Sequence, residues 1–349
     1  MKKLNLIILS LLFFFILNDS MAQTDSTFWF AVPYATPDHV TETGGVIRLT
    51  TIDREAEVTI TRPSSGSLIW QGVIPAGETE SVELPTNYVH NNLTNRFWDV
   101  TDSSSILIRS ESPSGDMPPE IKAYYEIARI DDSDTSVYTN GNNNPDIFSL
   151  KGKNALGYEF YVPFQTYWNN HNFANPGGAY SSFLIVATED NTNITVNSPQ
   201  PIARSALHGG GDYPANTNIT ITLNRGESYK LTPQRSSGDI ISIDAADRLE
   251  GTHITSDKPI AVTTGDDSDQ KEGAYDFVGD QLVPLENFEG DRVVGHEYLV
   301  MRGQVDGSHG GERFFVLATE DNTTFDVNVE GVGTSSFGPI NAGEQQAVP

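Results

Sequence analysis

The 349-residue chain contains no cysteine. That excludes disulfides, thiolate metal sites and thiol catalysis together, so the fold must rest on core burial or on bound ions. Basic residues are scarce: 21 Lys and Arg stand against 47 Asp and Glu, a formal net charge of −26. A field of that sign repels phosphate backbones and anionic lipid, which argues against nucleic acid as a partner and favours solubility and cation accumulation. Beyond the N-terminus no stretch combines a helical apolar period with helix caps, and the N-terminal apolar run is itself shorter than a bilayer span, with no other run long enough to cross one. Enzyme signatures are missing as well. There is no G-x-S-x-G elbow, H-E-x-x-H pair or phosphate-binding loop, and His296-Glu297 lacks the second histidine of a zincin. So many acidic residues guarantee chance carboxylate pairs, and the separation that glycosidase chemistry needs is not visible in a sequence. The chain is read as non-catalytic.

The N-terminus is an export signal. Lys2 and Lys3 precede the apolar run Leu4–Leu17, and Ser20 and Ala22 occupy the small-residue positions of a cleavage site before Gln23. Residues 1–22 are therefore expected to be removed. The mature protein, with no membrane span after cleavage, is expected to be secreted or displayed on the outer cell surface.

Self-comparison shows repetition. Residues 183–197 read FLIVATEDNTNITVN and residues 314–328 read FFVLATEDNTTFDVN, and Ala187–Thr192 is identical to Ala318–Thr323. A more divergent copy, IRLTTIDREAEVTIT, occupies 47–61. An aromatic-rich strand is expected before each copy, at Phe28–Pro33, Tyr158–Pro163 and His296–Val300, and a Gly-Glu turn follows at Gly77-Glu78, Gly226-Glu227 and Gly343-Glu344. Ile108–Pro113 then matches Ile254–Pro259. These markers predict a signal peptide at 1–22, a divergent unit at 23–150, a second unit at 151–290, and a third at 291–349. The third unit stops before its second half, so the sequence reads as a fragment of a longer protein.

Each unit alternates apolar and polar residues with β-branched and aromatic enrichment. The expected class is all-β: tandem β-sandwich-like repeats of about seven or eight short antiparallel strands, with a propeller-like arrangement as the alternative. The links Asp53–Ala56, Asp190–Asn193 and Asp321–Thr324 are each short enough for a hairpin, and Asp and Asn suit their turn geometry.

The run GTHITSDKPIAVTT at 251–264, followed by GDQLVP at 279–284 and an aromatic segment, resembles the N-terminal domain family of the IgGFc-binding protein. Phe28–Pro33 is similar to the opening strand of its bacterial members, many of them large secreted or surface proteins of Bacteroidota with a C-terminal sorting domain. The resemblance implies a binding module and brings no catalytic residue. Copy one departs from the pattern: Ser112 stands where copy two has Lys258, and Pro113 is followed by Ser114-Gly115-Asp116.

Residues 164–180 form a loop rich in aromatics among Asn and Gly, a composition suited to recognition of proteins or glycans. Phe164, Tyr167, Trp168, His171, Phe173 and Tyr180 are its candidate ligand-binding residues; the competing reading packs them back onto the sandwich. Two acidic stretches, Asp131-Asp132-Ser133-Asp134 and Asp266-Asp267-Ser268-Asp269, are expected in loops after the last strand of units one and two. Their carboxylates offer the oxygen ligands Ca²⁺ prefers, without EF-hand spacing, so Ca²⁺ is the one cofactor they suggest. The competing reading is a solvated acidic loop. His39, His171 and His309 recur after the first strand of each unit and read as polar loop residues rather than as a shared metal site.

The function expected is a secreted or surface-attached adhesion module that binds an extracellular protein or glycan through its loops. The alternatives are a part of a carbohydrate-processing exoenzyme and a structural spacer for a C-terminal sorting domain.

Overall fold

The computed structural model describes residues 23–34, 44–85, 88–95, 97–128, 146–170, 181–234, 244–271, 274–301 and 313–348. Over these residues the chain is all-β. Strands β1 (Thr27–Ala31), β2 (Gly44–Thr51), β3 (Ala56–Arg62), β4 (Ser67–Ile74), β5 (Thr79–Leu84), β6 (Thr101–Asp102), β7 (Ser105–Glu111), β8 (Ile121–Ala128) and β9 (Asp146–Ser149) come first. Two four-stranded antiparallel sheets, β1-β7-β3-β4 and β5-β2-β8-β9, enclose one core. Phe28, Phe30, Val58, Ile60 and Ile108 enter it from one sheet, and Ile47, Leu49, Ala123 and Tyr125 from the other. This is a sandwich, as the period-two patterning predicts, and not a propeller blade.

The second body contains β10 (Gly157–Val162), β11 (Ser181–Ala187), β12 (Thr192–Asn197), β13 (Asn218–Leu223), β14 (Ser228–Leu231), β15 (Thr252–Lys271) and β16 (Ala274–Gln281). Strand β15 serves both faces. Its first part pairs with β10 and β12, and its later part with β11 and β16. The pairing orders are β10-β15-β12-β13 and β14-β11-β15-β16. With β15 standing where β7 and β8 stand, these orders coincide with those of the first body.

The links expected to be hairpins are corrected by the pairing. β2 and β3 lie in different sheets, and β11 and β12 do not pair with each other: β12 pairs with β13 and the first part of β15, and β11 with β14 and the later part of β15. Each Asp/Asn turn is an arch that carries the chain across the core. The physical reason is that both flanking strands bear an apolar stripe, and the stripes can bury only by facing each other. Asn191 and Asn322 take φ of 53° and 58° at the two arches, the left-handed region that Asn tolerates.

The two sandwiches pack sheet on sheet. Trp29, Ala31 and Leu107 on the outer face of β1 and β7 meet Leu184, Val186 and Ala261 on the outer face of β11 and β15. That double burial explains why Phe28–Val32 and Phe183–Ala187 read as unbroken apolar runs instead of alternating ones. Polar bonds join the same bodies: Gln281 Nε2 donates to the Trp29 carbonyl at 2.6 Å, and Ser105 Oγ to that of Gly226 at 2.6 Å.

Downstream lie β17 (Phe314–Leu317), β18 (Thr323–Val329), β19 (Gly333–Ile340) and β20 (Gln345–Val348), as two separate pairs, β17-β20 and β18-β19. The strand expected at His296–Val300 is not formed: these residues run as irregular chain with their side chains largely exposed. A strand needs a neighbour to pair with, and none of the described strands lies alongside them. No helix among the described residues is long and apolar enough to cross a membrane.

Candidate recognition site

The aromatic loop leaves β10 at Val162, and residues 164–170 of it are described. Phe164, 6% exposed, belongs to the core of the second sandwich and is no surface residue. Next to it Gln165 ties the backbone into a tight turn. Its Oε1 accepts from the amides of Tyr167 at 2.8 Å and Trp168 at 2.9 Å, while its Nε2 donates to the Trp168 carbonyl at 2.7 Å. The turn projects Tyr167, which is 51% exposed, and leaves Trp168 half-buried with the two rings edge to face at 5.1 Å. The Arg313 guanidinium lies 3.8 Å over the Tyr167 ring and donates to its hydroxyl at 3.2 Å.

Beneath the turn lies a residue that the sequence reading did not single out. Arg248 is fully buried. It donates to Asp266 Oδ2 at 2.6 Å, to the Trp168 carbonyl at 2.5 Å and to Asn170 Oδ1 at 3.0 Å. Asn170 in turn donates to Asp266 Oδ1 at 2.9 Å and to the Asp267 carbonyl. One guanidinium thus joins two regions the sequence treated separately, the aromatic loop and the acidic stretch. A lone Arg within Asp244–Glu250 was the available signal, since a buried base needs a buried acid.

Asp266 and Asp267 were expected in a loop, and the structure corrects this. Both lie buried on β15, where Asp266 pairs with Ser181 of β11 and Val278 of β16. Both oxygens of Asp266 are occupied by Arg248 and Asn170. Among the described residues no three His, Asp or Glu side chains converge to hold a metal ion. Asp131, Asp132, Asp134, His171, Phe173 and Tyr180, with His39 and His309, lie outside the described residues, as does the side chain of Asp269.

A second buried polar cluster went unnoticed in the sequence. Asp99, buried and at φ 55°, accepts from the hydroxyls of Tyr229 at 2.7 Å and Tyr213 at 3.2 Å, and pairs with His208 Nδ1 at 2.9 Å. Burial first, and then the Asp99 carboxylate, pushes both tyrosine hydroxyls above their ordinary range. These residues pin the segment after Asn95 onto the second sandwich, where β6 pairs with β14. A shallow cavity of about 250 Å³ lies further along, lined in part by Tyr158, Glu159, Glu286, Arg292 and Glu320. Two of its carboxylates are already engaged, Glu159 by His253 at 2.8 Å and Glu320 by Arg292 at 3.3 Å.

The repeated motifs of the sequence prove to be joints of the fold. In the second sandwich the arch is tied to the Gly-Glu turn: Arg225 N donates to Asp190 Oδ1, Asn191 N to Asn224 Oδ1 and Asn224 N to Glu227 Oε2. Downstream the same bonds recur, from Ala342 N to Asp321 Oδ1, Asn322 N to Asn341 Oδ1 and Asn341 N to Glu344 Oε2. The Ser-Asp-Lys-Pro kink of β15 rests on the arch. Thr188 Oγ1 donates to the Pro259 carbonyl at 2.6 Å, and Asn193 gives two hydrogen bonds to Asp257. Those bonds from Asn193 hold the Asp257 carboxyl below its usual range.

Residues 148–348, more than half of the chain, match the family model described as IgGFc binding protein. No curated protein matches the chain. Among solved structures, the PBSX exported protein XepA aligns at 12% identity over 69% of this chain and 83% of its own, with a TM-score of 0.19. Beta-glucuronidase 2 of Bacteroides uniformis aligns at 11% identity over 85% of this chain and 27% of its own, with a TM-score of 0.14. Similarity that low carries no inference about this chain.

Proposed function

The chain belongs to the IgGFc binding protein family, and on that premise we propose that it is an exported, non-catalytic binding module that meets an extracellular protein or glycan through the loop after β10. One observation carries the reading. Tyr167 stands half-exposed beside Trp168 on a backbone that Gln165 and the buried Arg248 hold in place. A rigid aromatic on a fixed loop loses little entropy on binding, and Tyr and Trp supply much of the energy at recognition surfaces. The tandem reading of the units and export through residues 1–22 belong to the same proposal.

The test is a binding survey of the secreted protein on glycan and protein arrays, run beside a reducing-sugar release assay on any glycan it retains. Retention without release supports the module. Release of sugar would place the chain with carbohydrate-processing enzymes instead. A spacer role is the second reading, favoured by the sheet-on-sheet packing of the two sandwiches; a protein that binds nothing on either array would support it.

A further inference from the structure

The two sandwiches end on corresponding edge strands of opposite character. Strand β4 closes the β1-β7-β3-β4 sheet, and β13 closes the matching order in the second sandwich. Along β13 the exposed side chains are Asn218, Thr220 and Thr222. Along β4, Leu68 and Val73 are 56% and 55% exposed, and Ile69 and Trp70 are half-buried. The register puts apolar groups on both faces of β4. Leu68 and Val73 stand opposite Thr61 and Glu57 on the outer face, and Trp70 opposite Ile60 on the core face. A Cβ on Gly72 would lie 2.5 Å from the Trp70 ring, so glycine there lets the indole lie back along the strand. Among the described residues no strand pairs with the outer edge of β4. Edge strands are ordinarily blunted by charge, by proline or by short length. β4 has eight residues, none of them charged and none proline.

The flank beside this edge is acidic. The turn from Pro75 to Glu78 carries the chain from β4 to β5, the edge of the facing sheet. Glu78, Glu80 and Glu83 are exposed, and among the described residues they form no ion pair. Glu80 stands opposite Leu49, on the core-facing side of β5, at the open rim between the two edges. From Pro63 to Pro85 the chain holds these three glutamates and no lysine or arginine.

We propose that the β4 edge docks an extended basic segment of a partner protein, one that alternates apolar residues with Lys or Arg and adds a strand to this sheet. The N–H and C=O groups that β3 leaves free pair with the segment's backbone. Its basic side chains fall on the side of Trp70 and Glu80, where the indole face and the carboxylate both attract a cation. Its apolar side chains lie beside Leu68 and Val73 and remove them from water. Only an extended peptide satisfies the row of main-chain groups along a sheet edge, which a glycan or a helix does not. A second copy of this chain brings the same acids to the same flank and a net charge of −26, so the two copies repel each other. The proposal is independent of the recognition loop, which leaves β10 in the second sandwich.

The probe is a capped peptide of alternating lysine and valine, matched in length to β4, titrated into the whole chain and followed by calorimetry and by hydrogen exchange. The expected result is one-to-one binding. Exchange of the amides in residues 67–74 that β3 leaves free should slow by at least about tenfold. The same peptide with every amide N-methylated keeps its charge and cannot donate to the edge, so it should bind at least about tenfold more weakly. In the chain, Glu80→Gln with Glu83→Gln changes only exposed side chains and should weaken the unmethylated peptide by at least about threefold. The absence of saturable binding overturns the proposal, as does equal binding by the two peptides or by the glutamine variant. Protection confined to residues outside 67–74 overturns it too, because charge alone would then be holding the peptide. A chain that self-associates and protects these amides without peptide assigns the edge to a second copy and overturns the proposal as well.

Discussion

Replacing Arg248 by methionine tests how the aromatic loop is held. The side chain is fully buried, and its Nε lies 2.6 Å from an Asp266 carboxylate that is itself only 4% exposed. Methionine keeps much of the aliphatic stem and removes the charge. The Trp168 carbonyl still receives Gln165 Nε2, so its loss is minor. The large effect is on Asp266, left charged in the interior with Asn170 alone. Breaking a buried pair from one side costs ~3–5 kcal/mol, a large part of the ~5–15 kcal/mol that holds a typical domain. Adding Asp266→Asn to Arg248→Met removes the stranded charge and should recover ~2 kcal/mol or more, because close partners are coupled. Urea unfolding of the single and double variants measures the recovery, and hydrogen exchange over residues 164–170 reports the loop. If Arg248→Met costs less than ~1 kcal/mol and the loop amides stay as protected as before, the guanidinium is not what fixes the site.

Burial raises the Glu250 carboxyl to about 7 from its ordinary value of 4.5. A carboxyl whose folded-state pKa is raised favours folding in acid, so stability should fall as pH rises from about 4.5 to 7. The shift corresponds to at most ~3 kcal/mol, which partial solvent access reduces to ~1–2 kcal/mol, and Glu250→Gln should flatten that slope in pH-resolved denaturation curves. Asp257 has the opposite sign. Its depressed pKa stabilises the kink above the unfolded value near 3.8, and the benefit is lost as pH falls through the folded value. Asp257→Asn should therefore diminish the acid-induced fall in melting temperature. Leu184→Ala, at the fully buried face between the sandwiches, should cost ~2–5 kcal/mol; calorimetry should show the two sandwiches melting less cooperatively, and a single unchanged transition would mean that their contact is not load-sharing.

The strand pattern was legible because period-two burial leaves a period-two trace, as in Ile47-Leu49 and Val58-Ile60. The doubly covered strands hardly alternate at all over Phe28–Val32 and Phe183–Ala187, but their burial on both faces was not drawn from that run and emerges only with the sheet-on-sheet packing. Whether a four-residue link closes a hairpin or an arch was not legible, because both require the same turn residues; only the partner strands decide. Asp266 illustrates the wider limit. Its neighbours in sequence, Asp267, Ser268 and Asp269, suggest a solvated loop, yet its neighbours in space are Arg248 and Asn170. A buried ion pair between distant segments leaves no local trace. The loop was found by composition, but composition did not separate Phe164, which packs in the core, from Tyr167, which does not.

The central claim is that Tyr167 and Trp168 form a recognition surface and not a part of the core. It is tested most directly by comparing Tyr167→Ala with the unaltered protein, on the ligand that an array identifies, with affinity and melting temperature read together. A half-exposed ring should cost the fold less than ~1 kcal/mol through its edge-to-face and cation–π contacts, while loss of a binding anchor weakens the complex by ~2 kcal/mol or more, about thirtyfold. The account predicts an affinity lowered by that factor with the melting temperature nearly unchanged. Unchanged affinity in a fully folded variant would contradict it.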